Sequence, residues 1–322
     1  KNLTTMKIVV LDGYPGNPGD LSWDELKAVG ECSVYNRCAP GEIVPRCADA
    51  DAVLVNKVAI TREVIAQLPR LKYLGEMGTG YNNIDVDAAH ERGIVVTNVP
   101  AYSTRSVAQM AIAHLLNIAC RTGHYTRQVR AGRWSDSKDF CYSDTPLVEL
   151  AGKQMGIVGM GQIGSAVAMI AQSLGMTVMA HTSKAQEALP SGVTKATDLD
   201  QLFATSDVVS LHCPLTADNA RMVDARRLAL MKPSAILINT ARGMLIDEQA
   251  LADALNRGTI MAAALDVMIN EPPAHDNPLL TARNCYITPH IAWATREARQ
   301  RLIKICQQNF DAFAQGKPIN VV

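Results

Sequence analysis

The chain has 322 residues, enough for two domains of about 100–200 residues each. Apolar residues make up 48%, charged residues 19% and aromatics 5%, a balance that excludes a disordered or fibrous chain. Lys and Arg total 31 against 31 Asp and Glu, no apolar run nears the ~20 residues of a membrane helix, and residues 1–10 lack a secretory core, so a cytoplasmic protein with a small ligand is expected.

In chain order, short apolar runs at 8–11, 52–55, 74–77 and 95–98 alternate with helix-period segments. A long helix is predicted over 103–121. Six more runs follow at 155–158, 177–180, 207–211, 235–239, 262–266 and 286–288, and an amphipathic helix at 295–313 ends the pattern. Unbroken apolar strands separated by helices predict parallel sheets covered on both faces. The strands are too many for one sheet, so the chain is expected to divide near residue 103. Residues 133–150 are polar and turn-rich and predict a surface loop. Eight cysteines stand without a CxxC pair or zinc spacing, which predicts reduced structural thiols and no metal.

The run at 155–158 leads into Gly159-Met-Gly161-Gln-Ile-Gly164 and then a helical pattern, the strand, turn and helix of a dinucleotide site. Gly159 permits the tight turn, Gly161 lets backbone approach a pyrophosphate, and Gly164 lets helix and sheet close up. Phosphates would meet the helix start near Gln162 and Ile163. The acidic residue that usually holds the NAD ribose should fall near Thr182, yet the sequence reads Ala180-His-Thr-Ser-Lys184. His181, Thr182, Ser183 and Lys184 offer no carboxylate to repel a 2′-phosphate, so an NAD(P) site with NADP favoured is expected.

Three polar segments follow later strands: Asn239-Thr-Ala-Arg242-Gly, Asp266-Val-Met-Ile-Asn-Glu271-Pro and Thr288-Pro-His290-Ile-Ala. In an open α/β sheet such strand ends gather round one crevice. With these segments, Met77-Gly-Thr-Gly-Tyr-Asn-Asn-Ile-Asp85 and Ser210-Leu-His-Cys-Pro-Leu-Thr216, the sequence resembles the D-isomer-specific 2-hydroxyacid dehydrogenase family over nearly its whole length. Tyr102-Ser-Thr-Arg-Ser-Val-Ala-Gln109 and His290-Ile-Ala-Trp-Ala-Thr295 make it most similar to the glycerate dehydrogenases, or hydroxypyruvate reductases.

The resemblance implies that Arg242 binds the substrate carboxylate and keto oxygen, that Glu271 pairs with His290, and that His290 moves the proton. Each residue type suits its task. Arginine presents a planar charged fork, and ketone reduction needs a donor within reach of the oxygen. Burial discharges a histidine, but at about 4 Å and an effective dielectric near 20 a carboxylate attracts it by roughly 4 kcal/mol, which keeps His290 able to donate. The resemblance also places Asp266 beside the nicotinamide, Cys213 and Pro214 beside the adenine, and Thr79 and Gly80 in a loop whose N–H groups hold the substrate carboxylate; Thr240 is a further expected cofactor contact. Lys57, Tyr102 and Trp293 would line the substrate pocket. His181, His212, His114 and His124 read as structural, the first two as cofactor contacts at most.

The implied architecture is two doubly wound parallel-sheet α/β domains. A Rossmann cofactor domain at 104–294 is inserted into a flavodoxin-like substrate domain made of 1–103 and 295–322, with a cleft between them that closes about hinges near Tyr102 and Ala294. The helix at 106–119 is apolar on most sides (Val107, Met110, Ala111, Ile112, Leu115, Leu116, Ile118), which suggests a homodimer interface. The implied substrates are hydroxypyruvate first, then glyoxylate, then pyruvate. The alternatives are a dinucleotide-sensing corepressor, which would carry interaction tails beyond the last helix, a dehydrogenase of D-lactate or 3-phosphoglycerate, and, more remotely, formate or phosphite oxidation.

Overall fold

The computed structural model describes residues 6–322; the first five, part of the segment read for a secretory signal, lie outside the described residues. Contacts divide the chain into two units, Lys1–Ser103 with Trp293–Val322, and Thr104–Ala292.

The first unit holds β1 (Lys7–Val10), β2 (Glu31–Val34), β3 (Ala52–Val55), β4 (Tyr73–Glu76) and β5 (Val95–Thr97), ordered β2-β1-β3-β4-β5 with every pair parallel. This is the flavodoxin-like order. Val9, Val53, Val55 and Leu74 face one layer, while Ile8, Val10, Leu54 and Tyr73 face the other. Both faces are covered, which is why these strands read as unbroken apolar runs. The helix Arg296–Ala314 lays Ala298, Leu302, Cys306 and Phe310 on the second face at a four-residue spacing. Thr295 caps it by accepting from the Ala298 N–H at 3.3 Å.

The second unit holds β6 (Gln154–Val158), β7 (Thr177–His181), β8 (Val193–Lys195), β9 (Val208–Leu211), β10 (Ile236–Asn239), β11 (Ala262–Leu265) and β12 (Cys285–Ile287), ordered β12-β11-β10-β9-β6-β7-β8, again all parallel. The strand order reverses at β6, as in a dinucleotide-binding Rossmann sheet. Sequence periodicity missed β2 and β8. Both are edge strands, and the mixed exposure of β2 and the exposed Thr194 and Lys195 of β8 break the apolar signal.

The helix Thr104–Cys120 buries Ala108, Ala111, Ile112, Leu115 and Ile118 in one cluster with Met155, Ile157, Ile238 and Ala264 of its own unit. Much of its apolar surface is thus covered within the chain, while Leu116 stays 36% exposed. Residues 133–150 form turns and bends without helix or strand. Among the described residues no helix is long and apolar enough to cross a membrane, and no group of His, Cys, Asp and Glu is placed to hold a metal ion.

Candidate active site

β6 stops at Val158 and the helix Gln162–Ser173 starts at Gln162, with Gly159 at φ +95° in the turn. A Cβ on Gly159 would lie 2.6 Å from the Cys213 nitrogen, and one on Gly164 would lie 2.1 Å from the Gly159 oxygen, so both closures demand glycine. A Cβ on Gly161 would meet nothing within 4 Å, the open face that a phosphate needs. Gly161 supplies no side-chain cap, which leaves the first N–H groups of the helix for an anion. Gln162 is exposed and accepts from the Thr104 hydroxyl at 3.2 Å, while Ile163 packs into the sheet-side cluster.

A cavity of about 860 Å³ opens from this turn, lined by His181, Thr182, Ser183, Lys184, His212, Cys213 and Pro214. Asn219, Arg221 and Arg227, which no sequence motif marked, line it too. Two buried polar atoms near the strand ends, His212 Nδ1 and Thr240 Oγ1, have no protein partner. Together with the open face at Gly161, these orphaned atoms fit a bound dinucleotide. Burial pushes His212 down to about 4 and leaves it a neutral ring, hydrogen-bonded to Ser210 Oγ at 2.8 Å. Burial also raises the Cys213 thiol, so it stays protonated and makes a wall, not a nucleophile.

The three polar segments follow β10, β11 and β12, which are neighbours in the sheet, so Arg242, Glu271 and His290 share one carboxyl-end edge. His290 Nδ1 meets Glu271 Oε2 at 2.6 Å, and Glu271 Oε1 accepts from the Met268 N–H at 3.1 Å. That pairing leaves Nε2 as the nitrogen that can present a proton. His290 sits at φ +53°, a conformation disfavoured for a side chain with Cβ.

Its loop is pinned by Asp266, which is 1% exposed and accepts from the Thr288 hydroxyl at 2.5 Å, the Ile291 N–H at 3.0 Å and the Ala292 N–H at 2.8 Å. His114 Nε2, buried in the long helix, reaches Thr288 Oγ1 at 3.1 Å. His114 and Thr288 therefore support the histidine loop, a part that sequence spacing could not reveal. Asn239 folds the preceding loop by bonding the Arg242 carbonyl at 2.9 Å and the Ala241 N–H at 3.0 Å, and the Arg242 guanidinium itself is exposed.

In the first unit, Thr79 donates to the Val99 carbonyl at 2.8 Å, and Asn98 donates to the Thr79 carbonyl at 2.8 Å. The backbone N–H groups of Thr79 and Gly80 donate to no protein acceptor among the described residues. Lys57 is exposed beside a cavity of about 670 Å³ that Asp12, Tyr14, Arg37 and Thr61 also line. Tyr102 is 7% exposed and packs edge-on against Trp293, ring centroids 6.3 Å apart, within the core cluster of the terminal helix.

A Rossmann sheet with an open glycine turn and a carboxylate-backed histidine on the same sheet edge defines a nicotinamide-dependent oxidoreductase. The family model for the D-isomer specific 2-hydroxyacid dehydrogenase, NAD binding domain, matches residues 112–292. The chain is 48% identical over 320 residues to a hydroxypyruvate reductase of Blautia hydrogenotrophica, covering 98% of this chain and 99% of the relative. It is 41% identical over 285 residues to a glycerate dehydrogenase of Methylorubrum extorquens, covering 88% of each. Among solved structures, an acyclic imino acid reductase in complex with NADPH and D-Arg superposes with a TM-score of 0.86 at 34% identity, covering 98% of this chain and all of that one. The chain belongs to the D-isomer-specific 2-hydroxyacid dehydrogenase family.

Proposed function

We propose that this dehydrogenase reduces hydroxypyruvate, and less readily glyoxylate, to D-glycerate or glycolate, and runs the reverse oxidation. The observation that carries the reading is the 2.6 Å contact between His290 Nδ1 and Glu271 Oε2. When bound, the nicotinamide supplies the hydride in reduction and accepts it in oxidation. His290 gives a proton from Nε2 to the developing alkoxide, and Glu271 stabilises the charge that the ring carries before donation. Arg242 holds the carboxylate and polarises the keto oxygen, and the free N–H groups of Thr79 and Gly80 take the carboxylate. Residues 104–292 serve the cofactor. The first unit serves the substrate, with Lys57, Tyr102 and Trp293 beside it.

The preferred cofactor in this proposal is NADP. No carboxylate occurs in the 181–184 segment at the end of β7, while Ser183 and Lys184 are exposed there and Arg227 lines the same cavity. Asp266 keeps one lone pair for the carboxamide beyond its three accepted bonds. The deciding experiment follows nicotinamide absorbance with NADH and NADPH against hydroxypyruvate, glyoxylate and pyruvate. Turnover is expected with hydroxypyruvate at the highest kcat/KM and a lower KM for NADPH. A folded protein that turns over none of the three acids refutes the enzyme reading, and a strong preference for NADH refutes the cofactor reading.

The eight cysteines are free, which suits a reducing cytoplasm. A homodimer belongs to the same proposal, supported by exposed apolar side chains: Leu116, Val129, Trp134, Phe140 and Leu147, with Phe140 at 90% exposure. A second copy of the chain would cover these side chains. Light scattering should give twice the chain mass, and Phe140→Asp with Trp134→Ser should halve it; a wild-type monomer ends the idea.

A further inference from the structure

One buried acid in the first unit has no part in the chemistry above. Glu76, the last residue of β4, is 2% exposed. Its Oε2 accepts from Asn83 Nδ2 at 2.9 Å, and the same Asn83 amide reaches the Val58 carbonyl at 3.1 Å. Its Oε1 lies 3.0 Å from where a Cβ on Gly78 would stand, so the carboxyl rests against the backbone just before Thr79 and Gly80.

The loop after β3 is tied into the same cluster. Asp12, 6% exposed, accepts from the N–H groups of Asn56 at 2.7 Å, Lys57 at 2.6 Å and Val58 at 3.1 Å. Asn56 Nδ2 in turn donates to the Met77 carbonyl at 2.6 Å. The loops at 56–58 and 77–83 are thus one hydrogen-bonded body, and Glu76 lies beneath it.

We propose that Glu76 is a positioning residue whose carboxyl, joined through Asn83 to the loops that carry Lys57 and Thr79, sets how well the backbone at 78–80 receives a substrate carboxylate. This rests on the proposal that Thr79 and Gly80 hold that carboxylate. Burial, aided by the neighbouring Asp12 charge, raises Glu76 to about 8, against the Asn83 hydrogen bond and the Lys57 ammonium, which lower it. Cys306 of the terminal helix faces the same site and is neutral, its thiol raised by burial.

At neutral pH the acid is therefore largely uncharged and the loop takes an anion without repulsion. Above that range Glu76 becomes a negative charge under the loop. A carboxyl raised in the folded state leaves stability intact below the unfolded value and removes it as pH climbs to the folded one.

The test compares wild type with Glu76→Gln, which keeps the neutral shape and cannot ionise. For hydroxypyruvate, the wild-type KM divided by the variant KM should be near one at low pH and rise about tenfold across the titration near pH 8, while kcat shows no such step. Independently of turnover, the Tm of Glu76→Gln should exceed that of wild type by a margin that opens between about pH 5 and pH 8 and then stays constant. A KM ratio that is flat with pH overturns the proposal while leaving the enzyme reading intact; absence of any turnover overturns the enzyme reading, and the Tm margin still tests Glu76. Should the variant not fold, carbon-13 NMR of glutamate-labelled wild type decides: no carboxyl titrating near pH 8 overturns the proposal.

Discussion

His290→Ala should lower kcat by about 10²–10⁴ with little change in dinucleotide affinity. The imidazole supplies the proton that the alkoxide needs, whereas Asp266 on the same sheet edge is buried with three donors already bonded. Glu271→Gln should fall between wild type and His290→Ala, because the amide can still hold the ring through Nδ1 but adds no charge to stabilise the protonated form. The φ of +53° at His290 adds a structural reason for a large effect. The ring is aimed by a loop held on both sides by Asp266, so a water entering the vacated space is not oriented to replace it. Steady-state kinetics with hydroxypyruvate, together with a fluorescence titration of NADPH, separates the two quantities. A His290→Ala enzyme with near-normal kcat removes the assignment.

The parts of this site that were legible in the sequence are those where chemistry dictates local spacing. Gly159, Gly161 and Gly164 are read from the chain because a tight turn, an open backbone and a close helix must follow one strand within six residues. Arg242, Glu271 and His290 stand out because each follows an apolar strand in family order, and parallel strands put those ends on one edge.

What was illegible depends on long-range packing. The His114 to Thr288 bond joins residues 174 positions apart, so no periodicity announces it. Asp266, expected at the nicotinamide, proves first to be the clamp on the His290 loop. Glu76 was hidden inside an apolar run, where it read as strand, and its meaning came only from Asn83 and Gly78 beside it. The apolar helix at 104–120 shows the same limit, since composition tells that a face must be covered but not how much of it a neighbour in the same chain covers.

Gly243→Ala and Gly164→Ala should damage the enzyme in opposite ways. A Cβ on Gly243 would stand 2.0 Å from the Met268 carbonyl carbon and 2.5 Å from the Ile269 nitrogen, both backbone atoms with no rotamer to give way. The loop that carries Arg242 must then move off the loop whose Met268 N–H anchors Glu271. A displacement of about 1 Å at a reacting group can cost about 10²-fold, so kcat/KM for the keto acid should drop by that order while dinucleotide affinity is retained. A Cβ on Gly164, 2.1 Å from the Gly159 oxygen, instead pushes the helix start away from the turn that receives the phosphates. There the dinucleotide Kd should rise at least about tenfold, one lost hydrogen bond or less to each phosphate being enough. Circular dichroism on both variants checks that each still folds. If Gly243→Ala weakens dinucleotide binding as much as Gly164→Ala does, the two glycines do not divide the work between substrate chemistry and cofactor grip. If it leaves kcat/KM untouched, the contact between the Arg242 and Glu271 loops does not set the catalytic geometry.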